Sequence, residues 1–411
     1  MLTRRTLREA VAGIVVLILL PAAAASQALV IANASIIDAS APSPVRIGTI
    51  IIQDGRIAAI GTSPRIPAGA RVIDARGKFV VPGLWDMHAH LAALTPVGRA
   101  PEQYVAFGVL NVRDMGGLTD SLFPLRSTIR NGSRTGPEVI LAGPTLNSEA
   151  PAAFHRKVTT DAEARAAVRE LKAAGVDFIK IHRATTREVF VAIADETSRQ
   201  GLSFSGHVPL ALGWVEASNA GMRTIEHIQT MFENIQPDAR LIPAQFGDIA
   251  NRLDGALGDS IFAVMKGNGT FFDPTLVGYE ATFATAAPAV AALRRVAYEK
   301  MKLITARAAR AGVPIITGTD VLEHHGEMLL QELERFVEIG MTPQQVLAAA
   351  TVTSAGAAQR PALGRVAVGA PASFLILDAN PLADIKNLRA LATVVLRGRV
   401  IGAEELGRLR Q

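Results

Sequence analysis

The stretch Val80-Val-Pro-Gly-Leu-Trp-Asp-Met-His-Ala-His-Leu91 decides how the rest of the chain is interpreted. It is an apolar run that ends in His88 and His90, and this pattern predicts a strand. Side chains of a strand alternate between its two faces, so the two imidazoles point the same way, one pleat apart. Two neighbouring imidazoles at a strand end are half of a potential metal site. The pair alone is a weak signal, and its meaning depends on which other ligands the chain brings to it.

The composition is typical of a globular protein with a large core. The chain has 411 residues, more than one simple domain, of which 49% are hydrophobic and 19% are charged. It has no cysteine, which excludes disulfides and thiolate zinc sites, so any metal has to be held by histidine, carboxylate or a modified side chain. Its 42 basic and 37 acidic residues form no block of like charge, and aromatic residues make up 5%, so a nucleic-acid surface is not indicated.

The N-terminal residues predict export. Thr3-Arg-Arg-Thr-Leu-Arg8 resembles a twin-arginine motif, and the apolar run of residues 11–25 follows it. This run is short for a membrane span of about 20 residues, and the small residues after it offer cleavage sites. We therefore predict a signal peptide over residues 1–28, no stable membrane span after its removal, and a periplasmic or secreted protein. Export by the Sec route and an uncleaved anchor are the alternatives.

The sequence patterns at both ends of the mature chain predict short strands and turns. Residues 29–80 contain several apolar runs, and Asp54-Gly55 between two of them predicts a tight hairpin. A similar all-β pattern returns in residues 362–411. Each segment alone is too small to bury a good core. We therefore predict that the two segments pair with each other as one small β-sandwich.

Residues 81–361 alternate strand and helix, which predicts an α/β fold, specifically a TIM (β/α)8 barrel. The eight predicted strands end at His90 or cover residues 110–114, 138–142, 176–182, 202–207, 223–228, 270–276 and 313–320. The active site of such a barrel lies at the C-terminal ends of its strands. The candidate ligands at those ends are His88, His90, Lys180, His207, His227 and Asp320. Residues 229–268 are longer than a bare connection and are predicted to form a helical lid.

Several short motifs stand at these strand ends. They are Gly83-Leu-Trp-Asp-Met-His-Ala-His90, Val112-Arg-Asp-Met-Gly-Gly117, Val176-Asp-Phe-Ile-Lys180, Gly206-His207, Ile225-Glu-His227 and Thr317-Gly-Thr-Asp320. Together with the tail of residues 363–378, they resemble the amidohydrolase superfamily in its two-metal form with a carboxylated lysine. The resemblance covers the mature chain and is closest to the exported prolidase-like and imidazolonepropionase-related group. Members of that group hydrolyse amide bonds to C-terminal amino acids, as in dipeptides, N-acyl amino acids or ochratoxin-like amides.

The resemblance implies two zinc ions per chain. The two histidines of the first strand would hold one zinc together with Asp320, and His207 and His227 would hold the second. A lysine that loses its proton on burial can add CO2, and the resulting carbamate on Lys180 would bridge the two metals. A bridging water would ionise to hydroxide near neutral pH and attack the scissile carbonyl. Asp320 would then pass the proton to the leaving amine.

Other residues near the predicted strand ends are candidates for substrate contact or for structural roles. His182 lies two residues after the lysine and faces the same way, so it is either a substrate contact or a packed histidine. Tyr279 either hydrogen-bonds a substrate carbonyl or carboxylate or forms part of the wall. Asp86 faces the same way as the histidines after it, one layer down, and is predicted to have a structural role. Arg113 and Asp114 on the second strand are predicted to form an internal ion pair.

Three classes of function are compatible with these features. We favour a binuclear zinc hydrolase of a small amide or dipeptide. The second class comprises cyclic amide, imidazolone or lactone hydrolases and mononuclear deaminases. Deaminases of the superfamily usually have an acidic residue shortly after the fifth-strand histidine, whereas Val208-Pro-Leu-Ala211 follows His207 in this chain. The third class, a non-catalytic binding protein, is disfavoured because every expected ligand is present. The resemblance also suggests a homo-oligomer.

Overall fold

The structure is a computed structural model, and it describes residues 27–92, 97–236 and 243–411. Most of the predicted signal peptide, residues 1–26, lies outside the described residues. Within the three described ranges the strands are β1 (Leu29–Ile37), β2 (Val45–Gln53), β3 (Arg56–Gly61), β4 (Arg71–Asp74), β5 (Phe79–Pro82), β6 (Leu84–Ala89), β7 (Val109–Asp114), β8 (Glu138–Leu141), β9 (Thr145–Asn147), β10 (His155–Lys157), β11 (Ile179–Ile181), β12 (Phe204–Gly206), β13 (Thr224–Glu226), β14 (Phe271–Asp273), β15 (Phe374–Leu377), β16 (Leu391–Leu396) and β17 (Arg399–Gly402).

Most helices follow the central strands along the chain, and one helix forms the C-terminus. In the same ranges they are α1 (Ala100–Ala106), α2 (Thr119–Arg130), α3 (Asp161–Ala174), α4 (Arg187–Gln200), α5 (Trp214–Asn219), α6 (Ile228–Ile235), α7 (Pro243–Leu253), α8 (Ala256–Asn268), α9 (Leu276–Ala281), α10 (Pro288–Ala311), α11 (Glu327–Glu338), α12 (Pro343–Ala348), α13 (Ser354–Ala357) and α14 (Ala403–Arg410). A π-helical turn, Ala349–Thr353, joins α12 to α13, and 3-10 turns lie at Pro361–Gly364 and Ile385–Arg389.

Both ends of the chain contribute to one sheet. Among the described residues this sheet has eight strands, in the order β17-β16-β15-β5-β1-β2-β3, with β4 parallel to β1. The predicted hairpin forms between β2 and β3, where Asp54 and Gly55 both have positive φ. Strand β15 pairs antiparallel with β5, so segments from opposite ends of the chain are neighbours, as expected. The division of this unit into two packed sheets, a sandwich, stays a prediction, as do the predicted domain boundaries.

Parallel strands make up the central part and confirm the α/β class. The described residues form one three-stranded sheet, β6-β7-β8, and one six-stranded sheet, β10-β9-β11-β12-β13-β14. Strands β6, β8, β11, β12, β13 and β14 lie within six of the predicted strands, and β7 begins one residue before the predicted strand of residues 110–114. The short strands β9 and β10 were not predicted. They extend the larger sheet beside β11, where β9 pairs with it in parallel.

The eighth predicted strand, residues 313–320, is irregular. It forms one isolated parallel bridge, between Phe272 and Ile315, instead of a regular ladder. Pro314 has no N–H to donate, and Asp320 has a φ of 53°, outside the range of a strand. The segment still reaches both sheets, since the Phe272 N–H donates to the Pro314 carbonyl and the Met87 N–H donates to the Thr317 carbonyl at 2.8 Å.

The stretch between β13 and β14 is helical, as predicted. Helices α6, α7 and α8 occupy it, apart from residues 237–242, which lie outside the described residues. The role of this stretch as a lid stays a prediction. In the described part of the chain, no helix combines the length and the apolar character needed to span a membrane.

A buried aspartate ties the irregular segment to β6. Both the N–H and the hydroxyl of Thr319 donate to the Asp86 carboxylate, at 3.1 and 2.7 Å, and the His88 N–H donates to it at 3.1 Å. The hydroxyl of Tyr104 adds a longer bond of 3.4 Å. Burial raises the pKa of Asp86 to about 6, while these four donors oppose the rise by favouring the ionised form. The contacts agree with the structural role predicted for Asp86.

Replacing Thr319 by valine tests the importance of this contact. The substitution keeps the shape of the side chain but removes one donor from a buried carboxylate. We expect the free energy of unfolding to fall by about 1.5–3 kcal/mol, as for other hydrogen bonds to charged groups. Urea unfolding followed by circular dichroism measures the change. The Thr285→Val variant, at an exposed position, is the control; if both variants unfold at the same urea concentration as the unmodified protein, Asp86 does not depend on this donor.

Candidate metal centre

Three histidine side chains converge on the carboxylate of Asp320. Its Oδ1 atom lies 3.6 Å from Nε2 of His88 and 3.4 Å from Nε2 of His90, and its Oδ2 atom lies 3.7 Å from Nε2 of His227. The ligand atoms of His88, His227 and Asp320 all lie within 4.8 Å of one another. One backbone hydrogen bond of 2.8 Å, from the Asp320 N–H to the His88 carbonyl, fixes the spacing of these two ligands. The ends of three separate strand segments therefore meet at one point.

Each of these imidazoles is held at its other nitrogen. Nδ1 of His88 lies 3.0 Å from the Glu226 carboxylate, and Nδ1 of His90 lies 2.9 Å from a backbone carbonyl oxygen. Because both partners only accept, Nδ1 donates in these two rings, and Nε2 is the atom that faces Asp320. Nδ1 of His227 lies 2.8 Å from the hydroxyl of Thr275. Partners of this kind fix the orientation and tautomer of metal-binding histidines.

Burial keeps most of these imidazoles unprotonated. It lowers the pKa of His88 and His207 well below the usual value and that of His227 to about 4. Burial would also lower the pKa of His90, but the hydrogen bond to Asp320 and its charge outweigh this effect and raise it. The same hydrogen bond, with the charge of nearby histidines, overcomes burial and lowers the pKa of Asp320. Neutral imidazoles around an ionised carboxylate are a donor set that suits a divalent metal ion.

The amine of Lys180 lies in the same buried region. Lys180 is on β11 and 2% exposed, and its Nζ atom has no hydrogen-bond partner within residues 27–92, 97–236 and 243–411. Burial lowers its pKa to about 8, although the charges of Glu226 and Asp320 favour the protonated form. An ammonium without a partner is costly to bury. A neutral amine that reacts with CO2, or a nearby metal site, would remove this cost.

His207 extends the cluster beyond His227. The two ring centroids lie 4.5 Å apart, and the buried Nδ1 atom of His207 has no partner among the described side chains. A buried ring nitrogen with its lone pair free is available to a ligand. The histidines, the aspartate and the unpartnered lysine therefore fit a metal centre, by the chemistry of their donor atoms.

Three of the eight non-glycine residues with positive φ in the described ranges lie at this centre. His227, Thr275 and Asp320 have φ values of 66°, 48° and 53°, a region that side chains with a Cβ rarely adopt. Each such conformation costs about 1–3 kcal/mol and persists only where the surroundings enforce it. Strain of this kind is typical of functional sites, and all three residues point their side chains into one constellation.

Of the two predicted substrate contacts, His182 is in ring contact with a histidine of this centre. The ring centroid of His182 lies 4.3 Å from that of His207, and both residues line the same cavity. Tyr279 instead packs in an aromatic cluster with Phe283 and Tyr298. No hydrogen bond of the described residues joins its hydroxyl to the histidines. The substrate-binding roles of both residues stay predictions.

The predicted ion pair between Arg113 and Asp114 is wrong. Arg113 is 2% exposed and bonds the Glu226 carboxylate at 2.8 Å. Asp114 instead accepts a hydrogen bond of 2.7 Å from the Leu91 N–H. Adjacent residues of a strand point to opposite faces, so the two side chains cannot meet within β7. Arg113 acts on the centre indirectly, because its guanidinium neutralises the Glu226 carboxylate, and that carboxylate orients His88.

Sequence reasoning missed three residues that support the centre. Glu226 precedes His227 directly in the Ile225-Glu-His227 motif, and that adjacency was its only signal. Thr275 gave none, since its contact depends on the unusual turn after β14. Asp273, on β14, is fully buried, and neither carboxylate oxygen has a partner among the residues that the structure describes. Burial raises its pKa well above the usual value, which favours the neutral carboxyl group.

Comparison with known proteins finds one matching family and several similar proteins. The sequence profile of the amidohydrolase family matches residues 79–401. The chain is 23% identical to the imidazolonepropionase of Mycolicibacterium smegmatis over 399 residues, which covers 90% of this chain and 95% of that protein. A protein from Bifidobacterium longum described as a putative prolidase superposes with a TM-score of 0.73 at 26% identity, covering 93% of this chain and 98% of that one. The Aspergillus niger ochratoxinase superposes with a TM-score of 0.73 at 22% identity, covering 92% and 88%.

The hydrogen bond between Nδ1 of His227 and the Thr275 hydroxyl can be tested by metal binding. Thr275→Val keeps the β-branched shape, and hence the local strain, but leaves Nδ1 of His227 without its partner. We expect zinc affinity to fall by about 10- to 100-fold, the usual effect of losing such a partner. Competition between metal-free protein and a chromophoric chelator measures the affinity. Thr275→Ser, which keeps the hydroxyl, should bind nearly as well as the unmodified protein; a valine variant with undiminished affinity would show that Thr275 does not support the ligand.

Proposed function

The chain belongs to the amidohydrolase family and is a hydrolase of carbon–nitrogen bonds, and from this premise we propose that it is a zinc enzyme that cleaves an amide or peptide bond. The substrate would be a dipeptide, an N-acyl amino acid or an ochratoxin-like amide. One observation carries the proposal: the Asp320 carboxylate lies 3.4–3.7 Å from the Nε2 atoms of three histidines. Such convergence of histidine and carboxylate side chains at the strand ends suits metal-assisted hydrolysis.

We assign the ligands of two zinc ions to the residues expected from the sequence: His88, His90, Lys180, His207, His227 and Asp320. Lys180 would take part as a carbamate, which supplies oxygen atoms that an ammonium lacks. Support comes from its buried amine and from the low pKa that keeps part of the amine neutral. When bound, the metals would supply Lewis acidity, which polarises the scissile carbonyl and acidifies water.

The side chains of the protein would transfer the proton of the attacking water to the leaving group. Asp320 has a lowered pKa and is ionised at neutral pH, so it can accept the proton of the attacking water. The water oxygen bonds to the carbonyl carbon, the carbon–nitrogen bond breaks, and Asp320 returns the proton to the leaving nitrogen. The products are a carboxylate and an amine. Because the side chain of Asp320 is 34% exposed, it can reach a substrate that enters the centre from solvent.

We also propose that the two parallel sheets are parts of one (β/α)8 barrel, as in the amidohydrolase family. The support is the segment of residues 313–320, which hydrogen-bonds to β14 through Phe272 and to β6 through Met87. An exported location, periplasmic or secreted, remains a proposal from the N-terminal sequence. A small-molecule substrate, rather than nucleic acid, and assembly into a homo-oligomer are proposals from the same reasoning.

Cleavage of a cyclic amide or imidazolone is the second candidate. It is favoured by the imidazolonepropionase relative, which matches 90% of this chain. The lysine on β11 argues for two metals and so for the amide hydrolase. A lactone hydrolase or a mononuclear deaminase has less support, because no acidic residue follows His207 closely.

Metal content distinguishes these alternatives. The purified protein should bind about two zinc ions per chain, as in other two-metal hydrolases, and Lys180→Met should bind no more than about one. Elemental analysis by mass spectrometry after dialysis gives the ratio. Lys172→Met, at an exposed position on α3, is the matched control and should keep both ions. One metal per chain that is indifferent to the loss of Lys180 would contradict the binuclear assignment.

A substrate panel tests the reaction itself. Zinc-loaded protein should release amino acid from at least one of the Xaa-Pro dipeptides, N-acyl amino acids or ochratoxin-type amides. Asp320→Asn should lower kcat by about 10²- to 10⁴-fold, the usual effect of losing a proton-transfer group. Asp120→Asn, exposed near the start of α2, should leave the rate unchanged. Hydrolysis of cyclic imides or lactones alone would overturn the proposed amide substrate.

A further inference from the structure

A cavity of about 250 Å³ adjoins the histidine centre. His207, a proposed zinc ligand, forms part of its wall, so a substrate bound at the centre would extend into this space. Asn147, His182, Arg183 and Glu233 also line it. Neither the motifs nor the proposed reaction gives Asn147 any role.

The side chain of Asn147 is buried without a partner. It is 0% exposed at the end of β9, and neither Nδ2 nor Oδ1 has a hydrogen-bond partner anywhere in residues 27–92, 97–236 and 243–411. Each buried polar atom left unpaired costs about 1–3 kcal/mol, and native structures rarely tolerate two in one side chain. A side chain that lines a cavity and offers one free donor and one free acceptor is arranged to bind a ligand.

The polar groups of the wall indicate the kind of group that binds. Asn147 is an uncharged amide, and His182 lines the same cavity. Nδ1 of His182 is also buried and lacks a partner in the described part of the chain. Arg183 and Glu233 lie 3.5 Å apart and offset each other, while the third charged residue of the wall, Glu149, is exposed. The buried amide of Asn147, with one free donor and one free acceptor, therefore suits a neutral group that both accepts and donates hydrogen bonds.

We propose that Asn147 is a specificity-determining residue that binds a second, uncleaved amide group of the substrate. Nδ2 would donate to the carbonyl oxygen of that amide, and Oδ1 would accept its N–H. The inference rests on the proposed amide hydrolysis and narrows its substrate class to amides that carry a second amide group; the substrates that test it carry that group on the acyl side of the scissile bond. Sites that hydrogen-bond a polar group in this way discriminate strongly against substrates that lack it.

Two matched substrates test the inference. One is an N-acetylalanyl amide of the amino acid that the substrate panel identifies as the leaving group. The other has the same leaving group, but two methylene groups replace the C=O and N–H of the acetamido unit. The unmodified protein should prefer the first substrate by about 10- to 100-fold in kcat/KM, as expected for a buried amide pair. In Asn147→Leu this ratio should fall to about one.

Asn111→Leu is the matched control. Asn111 is also a buried asparagine on a central strand, but its Nδ2 donates to the Gly83 carbonyl at 3.3 Å. Its loss should lower thermal stability and leave the substrate ratio at the value of the unmodified protein. Should the leucine variant of Asn147 not fold, Asn147→Ala gives the same readout with less steric change.

The outcomes separate the inference from the proposed function. If the unmodified protein cleaves both substrates without preference, or if Asn147→Leu slows both by the same factor, Asn147 is not a specificity residue and the amide hydrolase stands. If the zinc-loaded protein cleaves neither these substrates nor any other amide of the panel, the proposed function itself is wrong. A ratio that falls only in the Asn147 variants supports the inference.

Discussion

The whole centre depends on how residues 317–320 attach to β6. Asp86 accepts both hydrogen bonds of Thr319, a residue 233 positions away in the chain, and the Asp320 N–H donates to the His88 carbonyl. These contacts hold the aspartate ligand at a fixed distance from the histidines of β6. Residues 313–320 form no regular β-ladder. Side-chain hydrogen bonds and single backbone hydrogen bonds therefore hold this segment in place, whereas sheet pairing holds the other central strands.

A chain of buried charged side chains also holds His88 in position. Arg113 bonds Glu226, and Glu226 bonds Nδ1 of His88, so a cation, an anion and an imidazole are joined in the interior. Removing one member of such a chain leaves the next one buried and unpaired, which is far more costly than the intact pair. The position of the His88 ring is therefore set by residues of β7 and β13 as well as by its own strand.

More of the side-chain cluster than of its supports could be predicted from the sequence. Strand alternation places His88 and His90 on one face, and a shared strand end is the reason to expect the other candidate ligands near them. The short strands β9 and β10, the irregular last segment and the contact between Thr275 and His227 depend on tertiary packing across dozens of residues. No local spacing encodes such contacts. The position of Asn147 in the cavity could not be predicted for the same reason, because an asparagine in a short polar stretch is typical of a turn.

The attachment of Thr319 to Asp86 also has a consequence for biosynthesis. A ribosome makes His88 long before Asp320, and no N-terminal fragment that ends before residue 320 contains the carboxylate on which the histidines converge. Contacts between such distant positions form late, because closing a long loop costs entropy before it gains any bonds. A partly made chain thus has the histidines without the assembled cluster, and the proposed metal site cannot form until residue 320 has been synthesised and has folded against β6.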